Sequence, residues 1–195
     1  MQCGFIGLGM LGARMARQVM GAGHALKVFD LDDAAVEKLV ARGATAATSV
    51  AQVASEVDVL ITCLPSPEAS RKVMTGTDGA LRTMHEGSCW IEMSTTDVKE
   101  MIRLAELAAE QGIGVLECPA TGGVHRAARG EMTLLVGGDE ALFKRHVSLL
   151  EALSGQIVYM GKLGNASLIK VITNLLCLVD LVAMGEALML AKRGG

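Results

Sequence analysis

Charge of one sign is what the sequence most plainly lacks. Eighteen Lys and Arg stand against 21 Asp and Glu, a net charge of −3. So weak a balance offers no basic footprint for nucleic acid or for an anionic membrane surface. Proline is scarce at three, and aromatic residues make up 3%. The start of the chain shows no charged segment followed by an apolar one, so no secretory leader is expected and a cytoplasmic location is. The most apolar stretch, between Lys170 and Asp180, holds nine uncharged residues in a row. A bilayer needs about 20, so no membrane partner is expected. The five cysteines, Cys3, Cys63, Cys89, Cys118 and Cys177, form no CxxC pair and read as reduced, buried thiols. His24, His85, His125 and His146 have no metal-ligand spacing, so no metal is expected, and neither a Ser-His-Asp arrangement nor a Walker pattern is present.

What the chain has is apolar bulk. Hydrophobic residues are 51% and charged residues 20% of 195, which excludes a disordered chain. The 23 glycines follow no triplet period, which excludes collagen. The length suits one domain, or one domain and part of another. A mean hydropathy of +0.41 implies a face that another domain or subunit covers.

Short apolar runs occur at 3–7, 25–30, 57–64, 88–94, 114–119, 132–138 and 156–161. Several are apolar throughout, as strands covered on both faces are. Helical spacing fills 11–22, 33–42 and 97–111, and each segment is followed directly by a glycine, Gly23, Gly43 or Gly112, as a left-handed C-cap requires. Ser66-Pro67 opens a further helix, and Gly137-Gly138-Asp139 reads as a turn and N-cap. Alternating strands and helices predict an α/β fold with a doubly wound, mainly parallel sheet. From Leu163 to Lys192 the pattern becomes one long helix, apolar nearly all round, which predicts a buried helix. The expected division is a domain over 1–162 and an interdomain helix over 163–195. That helix would start a further helical domain not contained in the chain.

Gly7-Leu8-Gly9-Met10-Leu11-Gly12 is GxGxxG between the first strand and the first helix. The first glycine permits the tight turn, the second the approach of a pyrophosphate, and the third close helix–strand packing. The helix N-terminus then faces the anion with free N–H groups. Asp30 ends the second strand about 20 residues on, where a carboxylate binds a ribose diol. It would repel a 2′-phosphate, and no arginine follows it, so the cofactor expected is NAD rather than NADP. Asp30 could instead be a solvated strand end; Asp32 and Asp33 are expected to be solvated or capping, with Asp33 as N-cap. Together these features predict a Rossmann-type domain.

Four segments, in this order, resemble the 3-hydroxyisobutyrate dehydrogenase (β-hydroxyacid dehydrogenase) family. They are Gly4–Gly12 with Met15-Ala16; Cys63-Leu64-Pro65-Ser66; Glu117-Cys118-Pro119-Ala120-Thr121-Gly122-Gly123 with Ala127, Gly130 and Val136-Gly137-Gly138; and Gly161-Lys162-Leu163-Gly164 leading to Lys170 and Asn174. Leu11, Glu117, Thr121 and Thr173 depart from the family's usual Met, Asp, Ser and Asn. The resemblance implies reversible hydride transfer between NAD and a short β-hydroxyacid or its semialdehyde. It matches Lys170 to the catalytic lysine and makes Leu64 and Pro65 apolar walls beside the cofactor.

The residues suit that chemistry. Lys170 and Asn174 are four apart and project from one helix face, and an apolar surround lowers a lysine's pKa toward general acid/base work. Asn174 could orient the same oxygen. Read without the family, Lys170 is a snorkelling lysine. Thr121, Gly122 and Gly123 could hold a substrate carboxylate or form a plain turn. Ser94 and Thr95, with Thr96, could touch the nicotinamide end or cap the next helix. A homo-oligomer, dimer or higher, is expected from the apolar helix. The competing readings are a truncated, non-catalytic nucleotide-binding module that associates through its bare helix, and an imine reductase. Retention of Lys170 argues against the latter, since that branch usually replaces the lysine.

Overall fold

Near-continuous apolar strands need cover on both faces, and in the computed structural model, which describes residues 1–195, they have it. The elements run β1 (Gln2–Ile6), α1 (Gly12–Gly21), β2 (Ala25–Phe29), α2 (Asp33–Val40), β3 (Thr45–Ala46), α3 (Val50–Ala54), β4 (Val59–Thr62), α4 (Pro67–Thr75) and a 3₁₀ turn (Ala80–Arg82). There follow β5 (Cys89–Glu92), α5 (Val98–Ala109), β6 (Gly114–Glu117), β7 (Ala120–Thr121), α6 (Gly123–Ala127), β8 (Met132–Gly138), α7 (Glu140–Glu151), β9 (Ser154–Tyr159) and α8 (Asn165–Gly194).

The sheet order is β3-β2-β1-β4-β5-β6-β8-β7, with β9 pairing β8. The first six strands in this order are parallel throughout. At the far end β8 is antiparallel to β6 and β7 and parallel to β9, so the sheet is mixed there. Strand order reverses between β1 and β4, and open α/β sheets bind ligands at that switch point. Alternate residues feed opposite faces. Phe5, Ile61, Ile91 and Leu116 join one core, under α1, α2 and α7. Leu60, Trp90 and Val115 join the other, with α3, α4 and α5. Trp90 meets its buried N–H by donating to Thr62 Oγ1 at 2.8 Å.

The helix starts have local causes. Asp32, Ser49, Ser66, Asp97 and Asp139 each accept an amide hydrogen from the turn they precede. The cap of α2 is therefore Asp32, and Asp33 is the first helical residue, because only Asp32 has the extended backbone that turns its carboxylate back to Ala34 N. Gly23, Gly43 and Gly112 all have positive φ.

The long helix differs from expectation. It spans Asn165–Gly194, and only Ala166, Ser167 and Lys170 are buried. From Val171 onward its leucines, valines and methionines are exposed because no element of the sheet domain reaches past the first turns. By length and composition it could cross a membrane. Its first turn, however, is docked in the sheet domain, and Asp180 and Glu186 interrupt it.

Candidate active site

At the C-terminal ends of β1, β2, β4 and β5 the loops part around a cleft of about 1010 Å³. Gly7 turns the chain at φ 95°, and a Cβ there would lie 2.2 Å from Cys63 O. A Cβ on Gly12 would lie 1.9 Å from Gly7 O, so the start of α1 rests directly on the loop. A Cβ on Gly9 would meet nothing within 4 Å. That glycine borders open space, where a ligand's phosphates can come close.

Helix α1 has no side-chain cap and no acid in its first turn. The amides of Met10, Leu11 and Gly12 bond no protein acceptor. Free amides and the helix dipole together suit an anion. Asp30 lies beside it. One of its oxygens accepts from Leu8 N, the other from Asp32 N at 2.9 Å. Asp30 therefore braces the glycine loop from the end of β2 while still lining the cleft. Leu8 does not line it: the side chain is buried in the core and the amide is taken by Asp30. The left-handed turn at Gly7 sends this side chain into the core that Phe5 occupies, a correction to its expected place at the cofactor.

The opposite wall comes from Leu64 and Pro65 after β4 and Ser94 and Thr95 after β5. These loops are tied together. Ser94 Oγ accepts from Leu64 N at 2.7 Å, and Ser94 N donates to Glu92 at 2.8 Å. Glu92 is fully buried, and burial pushes its carboxyl above the ordinary 4.5. The cap of α5 is Asp97, which leaves Ser94 and Thr95 free of that duty.

Thr121, Gly122 and Gly123 reach the cleft from β7 and the start of α6, and Lys170 and Asn174 from α8. Lys170 is 9% exposed, and its Nζ donates to Thr121 Oγ1 at 3.1 Å. No carboxylate pairs with it. Burial lowers its pKa from the usual 10.5, and Cys177 opposes this weakly.

One residue that sequence reasoning left aside stands just behind. Glu117, at the end of β6, is fully buried and accepts from Ala166 N at 2.9 Å, Ser167 N at 3.1 Å and Ser167 Oγ. The segment it opens gives no sign of this bonding, since its partners lie 49 and 50 residues on. The fold brings no group of three or more His, Cys, Asp or Glu together as a metal site.

A family model described as the NAD-binding domain of 6-phosphogluconate dehydrogenase matches residues 2–161. A probable mitochondrial 3-hydroxyisobutyrate dehydrogenase of Dictyostelium discoideum is 34% identical over 192 residues, 98% of this chain and 60% of its own. An NAD-dependent L-serine dehydrogenase of Pseudomonas aeruginosa is 36% identical over 194 residues, 100% of this chain and 65% of its own. The solved 3-hydroxyisobutyrate dehydrogenase of Mycobacterium tuberculosis with L-serine superposes with a TM-score of 0.91 at 33% identity, covering 98% of this chain and 65% of that one. An imine reductase of Myxococcus stipitatus shares the fold, with a TM-score of 0.88 at 21% identity, over 96% of this chain and 64% of that one. The chain thus spans 60–65% of the length of these curated relatives.

Proposed function

Since the chain belongs to the family of the NAD-binding domain of 6-phosphogluconate dehydrogenase, we propose that it is the cofactor-binding part of an NAD-dependent dehydrogenase of the 3-hydroxyisobutyrate dehydrogenase type. On this reading residues 1–162 hold the cofactor and 163–195 form the helix that opens a second domain. The substrate is a short β-hydroxyacid, interconverted with its semialdehyde or keto form. The observation that carries the reading is a buried lysine, paired with a threonine and no acid, in the same cleft as an open helix N-terminus.

Each residue then has a task. The amides of Met10, Leu11 and Gly12 bind the pyrophosphate, Gly9 leaves it room, and Asp30 takes the ribose hydroxyls and disfavours a 2′-phosphate. Leu64 and Pro65 form an apolar wall, and Ser94 and Thr95 hold the nicotinamide end. NAD bound there supplies the hydride acceptor. Thr121, Gly122 and Gly123 hold the substrate carboxylate. Lys170 Nζ takes the hydroxyl proton in oxidation and returns it in reduction, with Asn174 orienting that oxygen. Keeping Lys170 free of a carboxylate matters, because an ion pair would raise its pKa and hold it protonated.

The test is calorimetric titration with NAD, followed by an NADH assay with 3-hydroxyisobutyrate and L-serine. We expect NAD binding, and turnover of at least one acid when the chain is extended to its relatives' length. Binding without turnover in either form would favour a nucleotide-binding, self-associating module, a second reading that rests on the exposed apolar length of α8.

A further inference from the structure

Helix α8 begins without a cap of its own. Gly164 precedes it in a left-handed conformation and offers no side chain. The first-turn amides of a helix need acceptors, and those of Ala166 and Ser167 find one in Glu117 of β6. We infer that Glu117 is the positioning residue of the site: by capping α8 from the sheet, its carboxylate fixes the rotation of the helix so that Lys170 meets Thr121. This rests on the reading of Lys170 as the proton carrier.

Three observations converge on it. First, Ala166, Ser167 and Lys170 are the only buried residues of α8. One turn anchors the whole helix, and Glu117 takes three bonds from that turn, two from amides and one from the Ser167 hydroxyl. Second, Lys170 lies one turn beyond Ala166 on the same face, so any rotation of this turn moves Nζ directly. Third, space is reserved for the carboxylate, since a Cβ on Gly137 of β8 would lie 2.3 Å from Glu117 Oε1. A carboxylate suits the place, because the helix N-terminus favours negative charge. Glutamine does not, since its NH₂ would face one of the donors.

The experiment compares the wild-type 195-residue chain with Glu117→Gln and Ser167→Ala by NMR titration of ¹³C-methylated lysines, with NAD binding measured alongside. Cys177, two turns on along α8, also acts on Lys170 and is unchanged in both variants, and Ser167→Ala keeps the Glu117 carboxylate as well. In the wild type Lys170 should titrate below 10.5 because it is desolvated. In Glu117→Gln the loosened turn admits water and the titration should move upward, with NAD affinity unchanged. Ser167→Ala, which removes one bond and leaves the carboxylate, should move it less in the same direction. Should Glu117→Gln not fold, Ser167→Ala decides alone. In the extended, active form, Glu117→Gln should lower kcat about 10- to 100-fold without raising KM for NAD, as expected of a misplaced group. An unmoved Lys170 titration in the folded variants overturns the inference, and so does an equal loss of NAD affinity. Failure of the Lys170 reading itself would show differently, as turnover retained in Lys170→Ala.

Discussion

Asp30 carries two loads. It faces the cleft as a ribose acceptor would, and it holds Leu8 N and Asp32 N. Spacing from the glycines suggests the first role, and only the fold of the loop reveals the second. NAD should therefore bind more tightly than NADP, and Asp30→Ala should narrow the gap by removing the carboxylate. A hydrogen bond to a charged group is worth about 1.5–3 kcal/mol, so NAD affinity should fall roughly 10- to 100-fold in calorimetry. Lys170→Ala should leave NAD binding alone and cost about 10²–10⁴-fold in turnover, the usual worth of a general acid/base. Because burial lowers the Lys170 pKa, oxidation, which needs the neutral amine, should rise with pH through a value below 10.5. Reduction should fall over the same range. Glu92 has the opposite shift: it is raised, so the folded chain holds a proton that the unfolded chain releases above 4.5. Its contribution is full below that pH and is lost as pH rises through the folded value. Glu92→Gln, which cannot ionise, should flatten this part of the stability–pH curve in urea melts; an unchanged slope would refute the buried, neutral carboxyl.

Among the elements, those with local causes were legible. Apolar runs marked β1, β2, β4, β5, β6, β8 and β9, and Ser66-Pro67 marked α4. The elements α3, α6, β3 and β7 have two to five residues each, too few to show a period. The antiparallel placing of β8 depends on a partner outside its own segment. The glycine loop was legible as a motif, and the structure separates its members by what each would collide with. Gly12→Ala drives a Cβ to 1.9 Å from Gly7 O. Overpacking of this kind costs about 1–3 kcal/mol, and a chain of this size loses roughly 2–4 °C of Tm per kcal/mol. Gly9→Ala meets nothing, so its Tm should stay within error while NAD binding weakens. A melting scan and a titration of both variants separate the glycine that serves packing from the one that serves the ligand. Equal Tm losses would show that Gly9 is structural too.

For the whole molecule, the exposed length of α8 sets the argument. The apolar run read there is one helix, and within a single chain only its first turns find cover, which leaves the rest for another domain or subunit. Thirty residues at 1.5 Å each make a rod about 45 Å long. Leu175, Leu178, Leu181, Val182, Leu188 and Leu190 are each at least 60% exposed. Soluble monomers rarely bare more than a few hundred Å² of continuous apolar surface, and burial returns about 25 cal/mol per Å² before association costs. The chain should therefore self-associate, most simply as a two-fold dimer with its long helices against each other or against the neighbouring sheet domain. Light scattering at micromolar concentration should give at least twice the 20.4 kDa of one chain. Leu178→Glu with Leu181→Glu should lower that mass without disturbing NAD binding, since neither residue lines the cleft. A stable monomer with α8 ordered to Lys192 would contradict the burial argument. A monomer with α8 frayed beyond Asn174 would instead show that the single docked turn, held by Glu117, is all of the helix that the sheet domain can keep folded.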